Sequence, residues 1–214
     1  MWASLVVALC AFSGAAHAVP AFAVQTGQPC SGCHVGGFGP QLTPLGRSFK
    51  AGGYTLRAGG FNLPFSAMAV ASYVHTQKDQ PPPPPTGYST NNNFSLDQVS
   101  LFLAGGAGDH LGAFVQATYD GVAKTFHWDN LDVRAVTTAK IRTTDLILGL
   151  TLNNAPSVQD IYNTVPAWRF PYTTSSLAPA PGTAPLTGRL AQNTLGLTAG
   201  LRVQVNGGLI EDFA

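Results

Sequence analysis

The sequence predicts a mainly β protein, with an antiparallel transmembrane β-barrel segment preceded by a small, mostly irregular and helical module. Two observations predict this class. Long segments alternate apolar and polar residues, and the 214 residues are 45% hydrophobic but only 10% charged, whereas about a quarter of residues are charged in soluble domains. The net charge of +1 argues against nucleic-acid binding.

Period-two alternation gives each predicted strand one apolar and one polar face. It is clear in 111–120, 128–135, 146–152 and 193–205, and weaker in 64–76 and 94–104. Such strands suit either a soluble β-sandwich or a membrane barrel with a polar lumen. Most segments are about ten residues or longer, which favours the barrel. Phe65 and Tyr73 would lie on one face about 26 Å apart, close to the ~25 Å apolar band between aromatic girdles.

The connections between these segments also indicate an outer-membrane barrel, which has short periplasmic turns and long outer loops. Short turns are predicted at 105–108, 138–143 and 206–207, and long loops at 77–93 and 153–189. The short connection at 121–124 departs from this pattern. About six strands and the start of a seventh are predicted, whereas the smallest single-chain barrels have eight. We therefore expect an incomplete, truncated barrel.

The chain begins with an uncharged apolar run at residues 5–16, followed by small-residue cleavage sites at 16–18 and 21–23. This pattern predicts a secretory signal peptide, although the usual positive residues near the start are missing. The predicted division is a signal peptide at 1–23, a small module at 24–60 and the barrel portion at 61–214.

Residues Cys30-Ser31-Gly32-Cys33-His34 match the C-x-x-C-H signature of covalent haem attachment. Two thiols at this spacing can add to the two vinyl groups of one porphyrin, and His34 then provides the proximal iron ligand. A thioredoxin-like pair or half of a zinc site are the alternatives. A zinc site would need further ligands, yet no cysteine follows Cys33. The motif predicts one haem c.

A short helix is predicted after the motif, with Thr43 as its N-cap, Pro44 in its first turn and glycines at 52–53 as its stop. Leu45 and Phe49 would share one face. Either they pack on the porphyrin, with Arg47 or Lys50 near a propionate, or the helix is an ordinary amphipathic turn.

Most of the mature chain resembles the fused monohaem cytochrome-porins of iron-oxidising bacteria. The resemblance is carried by residues 18–23, 25–27, 30–34, 40–50, 53–55, 109–121, 128–130, 152–154 and 158–160. It implies an outer-membrane barrel whose haem module lies on the periplasmic side and plugs the lumen. It also implies electron transfer from extracellular Fe(II) to a periplasmic cytochrome. Among site residues, Cys30, Cys33 and His34 carry over.

Met68 is the predicted distal iron ligand. Apart from Met1, Met68 is the only methionine, and it would face the lumen if Phe65 and Tyr73 face lipid. His110 borders a short turn at the same end of the barrel and is the alternative. Another ligand, or none, is a third outcome.

Three functions follow from these predictions. The first is electron transfer across the outer membrane by a haem protein, with Fe(II) oxidation as a possible reaction. The second is a soluble periplasmic monohaem carrier with a β domain. The third is a passive porin with a haem-bearing plug. A haem peroxidase would require an open sixth site, and no residue pattern indicates a conventional hydrolase.

Overall fold

The computed structural model describes residues 20–37, 39, 41–59, 64–142, 144–154, 175–179, 196–205 and 208–213. Residues 20–59 form a helical unit with three helices: α1 (Pro20–Thr26), α2 (Cys30–Cys33) and α3 (Pro44–Ala51). A 3-10 turn, Val35–Gly37, follows α2. In the part of the chain described, no helix is both long and apolar enough to span a membrane. The signal peptide predicted at 1–23 lies mostly outside the described residues.

The rest of the described chain forms one antiparallel sheet whose strands follow chain order, so each strand pairs with its neighbours in sequence. The strands are β1 (Phe65–Val74), β2 (Asn93–Ala107), β3 (Leu111–Asp120), β4 (Thr125–Ile141), β5 (Thr144–Asn153), β6 (Gly196–Val205) and β7 (Gly208–Phe213). The last two are described by their backbone. The predicted mainly β, antiparallel class is confirmed, as is a seventh strand after the first six.

The two faces of β1–β5 differ sharply, as the alternation predicts. Polar side chains and the helical unit occupy the inner face. The outer face exposes large apolar side chains: Phe65, Tyr73, Phe94, Leu96, Leu101, Leu103, Leu111, Phe126, Trp128, Leu148, Leu150 and Leu152. Phe65 and Tyr73 lie on this outer face as predicted, and Met68 lies on the inner face.

The connections between β2 and β3 and between β4 and β5 lie at the same end of the strands, called the turn edge. Both turns are shorter than predicted, because the preceding strand continues further. β2 continues to Ala107, and Gly106 pairs with Gly112 inside the sheet. A Cβ on Gly112 would collide with the carbonyl oxygen of Gly53, so this position is a site of close backbone approach and not a turn. β4 continues to Ile141 because its threonines, such as Thr138, suit a strand.

The alternation over 128–135 predicts that Trp128 shares the polar face with Asn130, Asp132 and Arg134, and for Trp128 this prediction is wrong. The pairing shifts opposite Gln116 and Ala117, so that Asp129 is an extra residue between two paired ones. Such a bulge reverses the phase of the strand. Trp128 therefore lies on the outer face, 67% exposed.

The opposite edge, called the loop edge, carries the longer connections. There Leu177, from the loop between β5 and β6, packs with Val74 and Val122. The side-chain amide of Gln80, in the loop between β1 and β2, donates to the Leu177 carbonyl at 2.9 Å. Two long loops thus meet over the end of the inner face.

Candidate functional site

The cysteines and histidine of the motif lie on one helical turn and the residue after it. In α2 the His34 amide donates to the Cys30 carbonyl at 2.8 Å. Both thiols are partly exposed. Burial raises the pKa of the Cys33 thiol, and the nearby Cys30 adds to this, so Cys33 is protonated at neutral pH. The turn therefore presents two neighbouring thiols, both of which are accessible to one planar ligand.

The imidazole of His34 is oriented by one hydrogen bond, from Nδ1 to the carbonyl oxygen of Gly39 at 2.5 Å. A carbonyl oxygen only accepts, so Nδ1 carries the proton and Nε2 keeps its lone pair. Burial lowers the pKa of His34, partly offset by the bond to Gly39, and this favours the neutral ring. A metal-ligating histidine typically has this arrangement.

Helix α3 fixes the motif in place, and its predicted limits are confirmed. The Thr43 hydroxyl accepts from the Gly46 amide at 3.2 Å as the N-cap, and it donates to the Gly32 carbonyl at 2.6 Å. The Thr43 amide also donates to the Cys33 carbonyl at 2.9 Å. A Cβ on Gly46 would collide with that same Cys33 carbonyl oxygen, so α3 and α2 are in backbone contact there.

Leu45 and Phe49, predicted to share one face of α3, have different surroundings. Phe49 is only 7% exposed, and its ring lies 5.0 Å from that of Phe22 and 5.6 Å from that of Tyr54. Leu45 is 39% exposed beside Gly46, and Val35 is exposed next to His34. Phe49 therefore belongs to the core of the helical unit, whereas Leu45 and Val35 leave an apolar surface beside the motif.

Phe22 joins the helical unit to the sheet. Its ring stacks on Tyr54 at 5.1 Å and on Phe114 of β3 at 6.0 Å. Phe22 lies in α1, which runs across the predicted signal boundary after Ala23. A chain cut after Ala23 would lose this ring, whereas a chain cut after Ala18 would keep it.

Gln25 is a buried contact between the two parts that no sequence signal marked. Its side-chain amide donates to the Tyr54 carbonyl at 2.6 Å and to the Leu56 carbonyl at 2.9 Å. Its side-chain oxygen accepts from the Gly106 amide at 3.0 Å. One side chain therefore satisfies three backbone groups across α1, the segment after α3 and β2.

The most extensive contact between the parts is the Asp132 cluster, formed by Asp132, Arg134, Thr151, Tyr54 and Lys50. Arg134 donates to both carboxylate oxygens of Asp132, at 2.9 and 3.0 Å. The hydroxyls of Tyr54 and Thr151 donate to the same carboxylate at 2.8 and 3.0 Å. The Lys50 ammonium lies 3.6 Å from it. Burial, and then the Asp132 charge, raise the pKa of Tyr54 well above its ordinary value.

Among the described residues, no contact joins either predicted distal ligand to the motif. Met68 pairs with Ser100 on the inner face of the sheet. His110, in the turn before β3, makes a 3.0 Å hydrogen bond from Nδ1 to the Val136 carbonyl. In the ranges described, no group of three or more His, Cys, Asp or Glu is placed to hold a metal ion. The distal ligand therefore stays a prediction.

Comparisons of the chain with protein-family models, with curated proteins and with solved structures found no match. The resemblance to cytochrome-porins therefore stays a prediction based on the residues quoted above. The local geometry of the motif and the contacts of the helical unit with the sheet are independent of that resemblance.

Proposed function

We propose that the chain is a c-type cytochrome that holds one covalent haem through Cys30, Cys33 and His34 and transfers electrons at the outer membrane. The main observation in favour is the hydrogen bond from His34 Nδ1 to Gly39, which leaves Nε2 for an iron. Two thiols on the same helical turn and the exposed apolar Val35 and Leu45 suit a porphyrin. When bound, the haem supplies reversible one-electron exchange at its iron.

The residues of the chain have separate roles in this proposal. Cys30 and Cys33 would hold the haem covalently, and His34, oriented by its hydrogen bond to Gly39, would ligate the iron. Thr43 holds the motif turn against α3. Met68, which lies on the inner face of the sheet, would supply the distal ligand, with His110 as the alternative.

The membrane location rests on the outer face of the sheet, where Phe126 is 78% exposed and Leu101 60%. Apolar side chains from five adjacent strands form a continuous surface, whereas soluble monomers rarely expose large apolar patches. In a bilayer such a face contacts lipid chains, and its apolar side chains are not exposed to water. The helical unit touches the sheet near its turn edge, which is the periplasmic side in bacterial barrels.

The direction of electron transfer follows the resemblance. The donor is extracellular, with Fe(II) as the proposed species, and the acceptor is a periplasmic cytochrome. If redox titration shows a haem that exchanges no electrons with Fe(II) or with a cytochrome, the passive porin with a haem-bearing plug replaces this proposal.

The membrane proposal is tested by placing arginine on the outer face. Leu101 pairs with Ala67 and Ala117 in the middle of β2, so Leu101→Arg should lower the free energy of unfolding in lipid vesicles by about 2–4 kcal/mol. Ile141→Arg, on the same face at the turn-edge end of β4, should cost about 0–1 kcal/mol. Equal small effects, with a monodisperse chain in detergent-free buffer, would instead establish the soluble periplasmic carrier.

The contact between α2 and α3 gives a test of the haem site. Gly46→Ala should force the helices apart at the Cys33 carbonyl, reduce covalent haem loading and cost roughly 1–3 kcal/mol of stability. Ser48→Ala changes an exposed residue of the same helix and is the matched control. Haem per chain is measured by haemochrome absorbance. Full loading in Gly46→Ala would count against the proposed site geometry.

The ring contacts of Phe22 predict where the signal peptide is cleaved. Because Phe22 packs on Phe49, Tyr54 and Phe114, we expect cleavage after Ala18, with Val19 as the first residue of the exported chain. N-terminal sequencing of the exported protein measures this directly. A mature chain beginning at Val24 would show that the ring contacts of Phe22 are dispensable.

A further inference from the structure

The helical unit has an unusual charge composition. Residues 20–59 contain no aspartate or glutamate, and their charged side chains are Arg47, Lys50 and Arg57. Lys50 lies in the Asp132 cluster, whereas Arg47 and Arg57 are exposed. The unit that carries the motif therefore presents positive charge, although the whole chain has a net charge of only +1.

Arg47 lies beside the motif, and Arg57 lies at the turn edge of the sheet. Arg47 follows Gly46, which abuts Cys33. The Arg57 guanidinium donates to the carbonyls of Gly106 and Gly108 at the turn edge.

Arg142, in the turn between β4 and β5, is also exposed at the turn edge. Arg47, Arg57 and Arg142 are called the basic rim. Asp109, in the turn between β2 and β3, is an acidic residue at the same edge. Lys140 and Asp145 are cross-strand partners at the same edge.

Apart from Asp132 and Asp145, the other acidic side chains that the structure describes lie toward the opposite end of the strands. They are Asp79 in the loop between β1 and β2, Asp97, Asp120 and Asp129 near the loop edge of the strands. All ten acidic residues of the sequence lie outside the helical unit, so the unit that carries the motif has a net positive charge.

Two apolar side chains of the helical unit are exposed beside the motif. Val35 and Leu45 are exposed immediately beside His34 and Gly46. Transient electron-transfer complexes have small interfaces, and charge complementarity in them mainly raises the association rate and selects the partner.

We propose that this end of the chain is the docking surface for an acidic electron-transfer protein, whose carboxylates meet the basic rim while its apolar contact covers Val35 and Leu45. This inference rests on the proposed function, because it assumes a haem at the motif. It adds the sign of charge that the acceptor must carry.

The test uses the full, haem-loaded chain in neutral detergent and two one-electron oxidants of opposite charge. Ferricyanide, an anion, takes one electron from the ferrous protein and becomes ferrocyanide. Tris(phenanthroline)cobalt(III), a cation, takes one electron and becomes the cobalt(II) complex. With increasing salt, we expect the rate with ferricyanide to fall and the rate with the cobalt complex to rise, because salt screens the rim.

The variant for this test is the double substitution Arg47→Glu with Arg142→Glu. It should lower the ferricyanide rate at low salt by about tenfold or more and reverse the sign of both salt dependences. The matched control is Lys78→Glu with Lys124→Glu, which makes the same change in net charge at the loop edge. The control should keep the salt dependences of the native protein.

A second readout does not depend on haem. Immobilised polyglutamate should retain the native chain to higher salt than the rim variant, with or without haem. Equal elution of rim and control variants, or salt dependences unchanged in the rim variant, would overturn the inference. A shift in midpoint potential without a change in salt dependence would assign Arg47 to a propionate and also overturn it. A chain that carries no haem would defeat the proposed function instead.

Discussion

Replacing Asp132 by alanine is expected to lower the free energy of unfolding by about 3–5 kcal/mol, because it leaves buried cations without their counter-charge. Arg134 is only 2% exposed, and its guanidinium is paired with both oxygens of Asp132. Lys50 and the Tyr54 hydroxyl contact the same carboxylate from the helical unit. The substitution should therefore also loosen the unit from the sheet.

Unfolding by urea in detergent micelles measures the stability change, and limited trypsin digestion at Arg47 measures the loosening. Asp79→Ala, in the exposed loop between β1 and β2, is the control and should change stability by less than about 0.5 kcal/mol. Haem loading should persist in Asp132→Ala, because Thr43 and Gly46 hold the motif within the helical unit. A loss below 1 kcal/mol would mean that water or another residue already compensates the cluster.

Replacing both Cys30 and Cys33 by serine should abolish covalent haem attachment, because a hydroxyl does not form the thioether with a vinyl group. Each single variant keeps one thiol on the helical turn and should retain a reduced fraction of haem. The measurement is haem stain on a denaturing gel, together with the haem extracted by acidified acetone.

Ser31→Ala is the matched control for the cysteine variants, since this exposed serine lies between the two thiols. It should keep full attachment. If the double cysteine variant retained as much denaturation-resistant haem as the native chain, the thiols would have no part in attachment and the motif would need another explanation.

Elements whose cause is local could be predicted from the sequence. Period-two alternation determines a strand with one buried face, and β3 begins and ends at the predicted residues, Leu111 and Asp120. Helix α3 begins directly after its N-cap, Thr43, and ends directly before Gly52. Both limits are set by residues that lie beside the helix in sequence. The candidate site is equally local, since its thiols and imidazole belong to one helical turn and the residue that follows it.

Features that depend on a distant partner could not be predicted in this way. The phase of Trp128 depends on a bulge opposite Gln116, which the alternation of β4 alone does not reveal. Gly106 continues β2 because it pairs with Gly112, not because of its own preference. Alternation predicts Asp132 on the polar face, but its contact with Tyr54 joins residues 78 positions apart.

The same reasoning explains what was missed in the helical unit. Phe49 is predicted to share one face of α3 with Leu45, whereas Phe22, which precedes the predicted signal boundary, packs on its ring. Lys50 was a candidate for a propionate, and the sheet carboxylate of Asp132 lies 3.6 Å from its ammonium instead.

The most direct test of the haem proposal is the mass of one peptide. The chain is exported in a cell that attaches haem to C-x-x-C-H motifs, then purified, denatured, extracted with acidified acetone and digested with trypsin. The peptide that ends at Arg47 should carry the added mass of one haem, bound through Cys30 and Cys33. The same peptide recovered without added mass, with all haem in the organic phase, would contradict a covalent cytochrome.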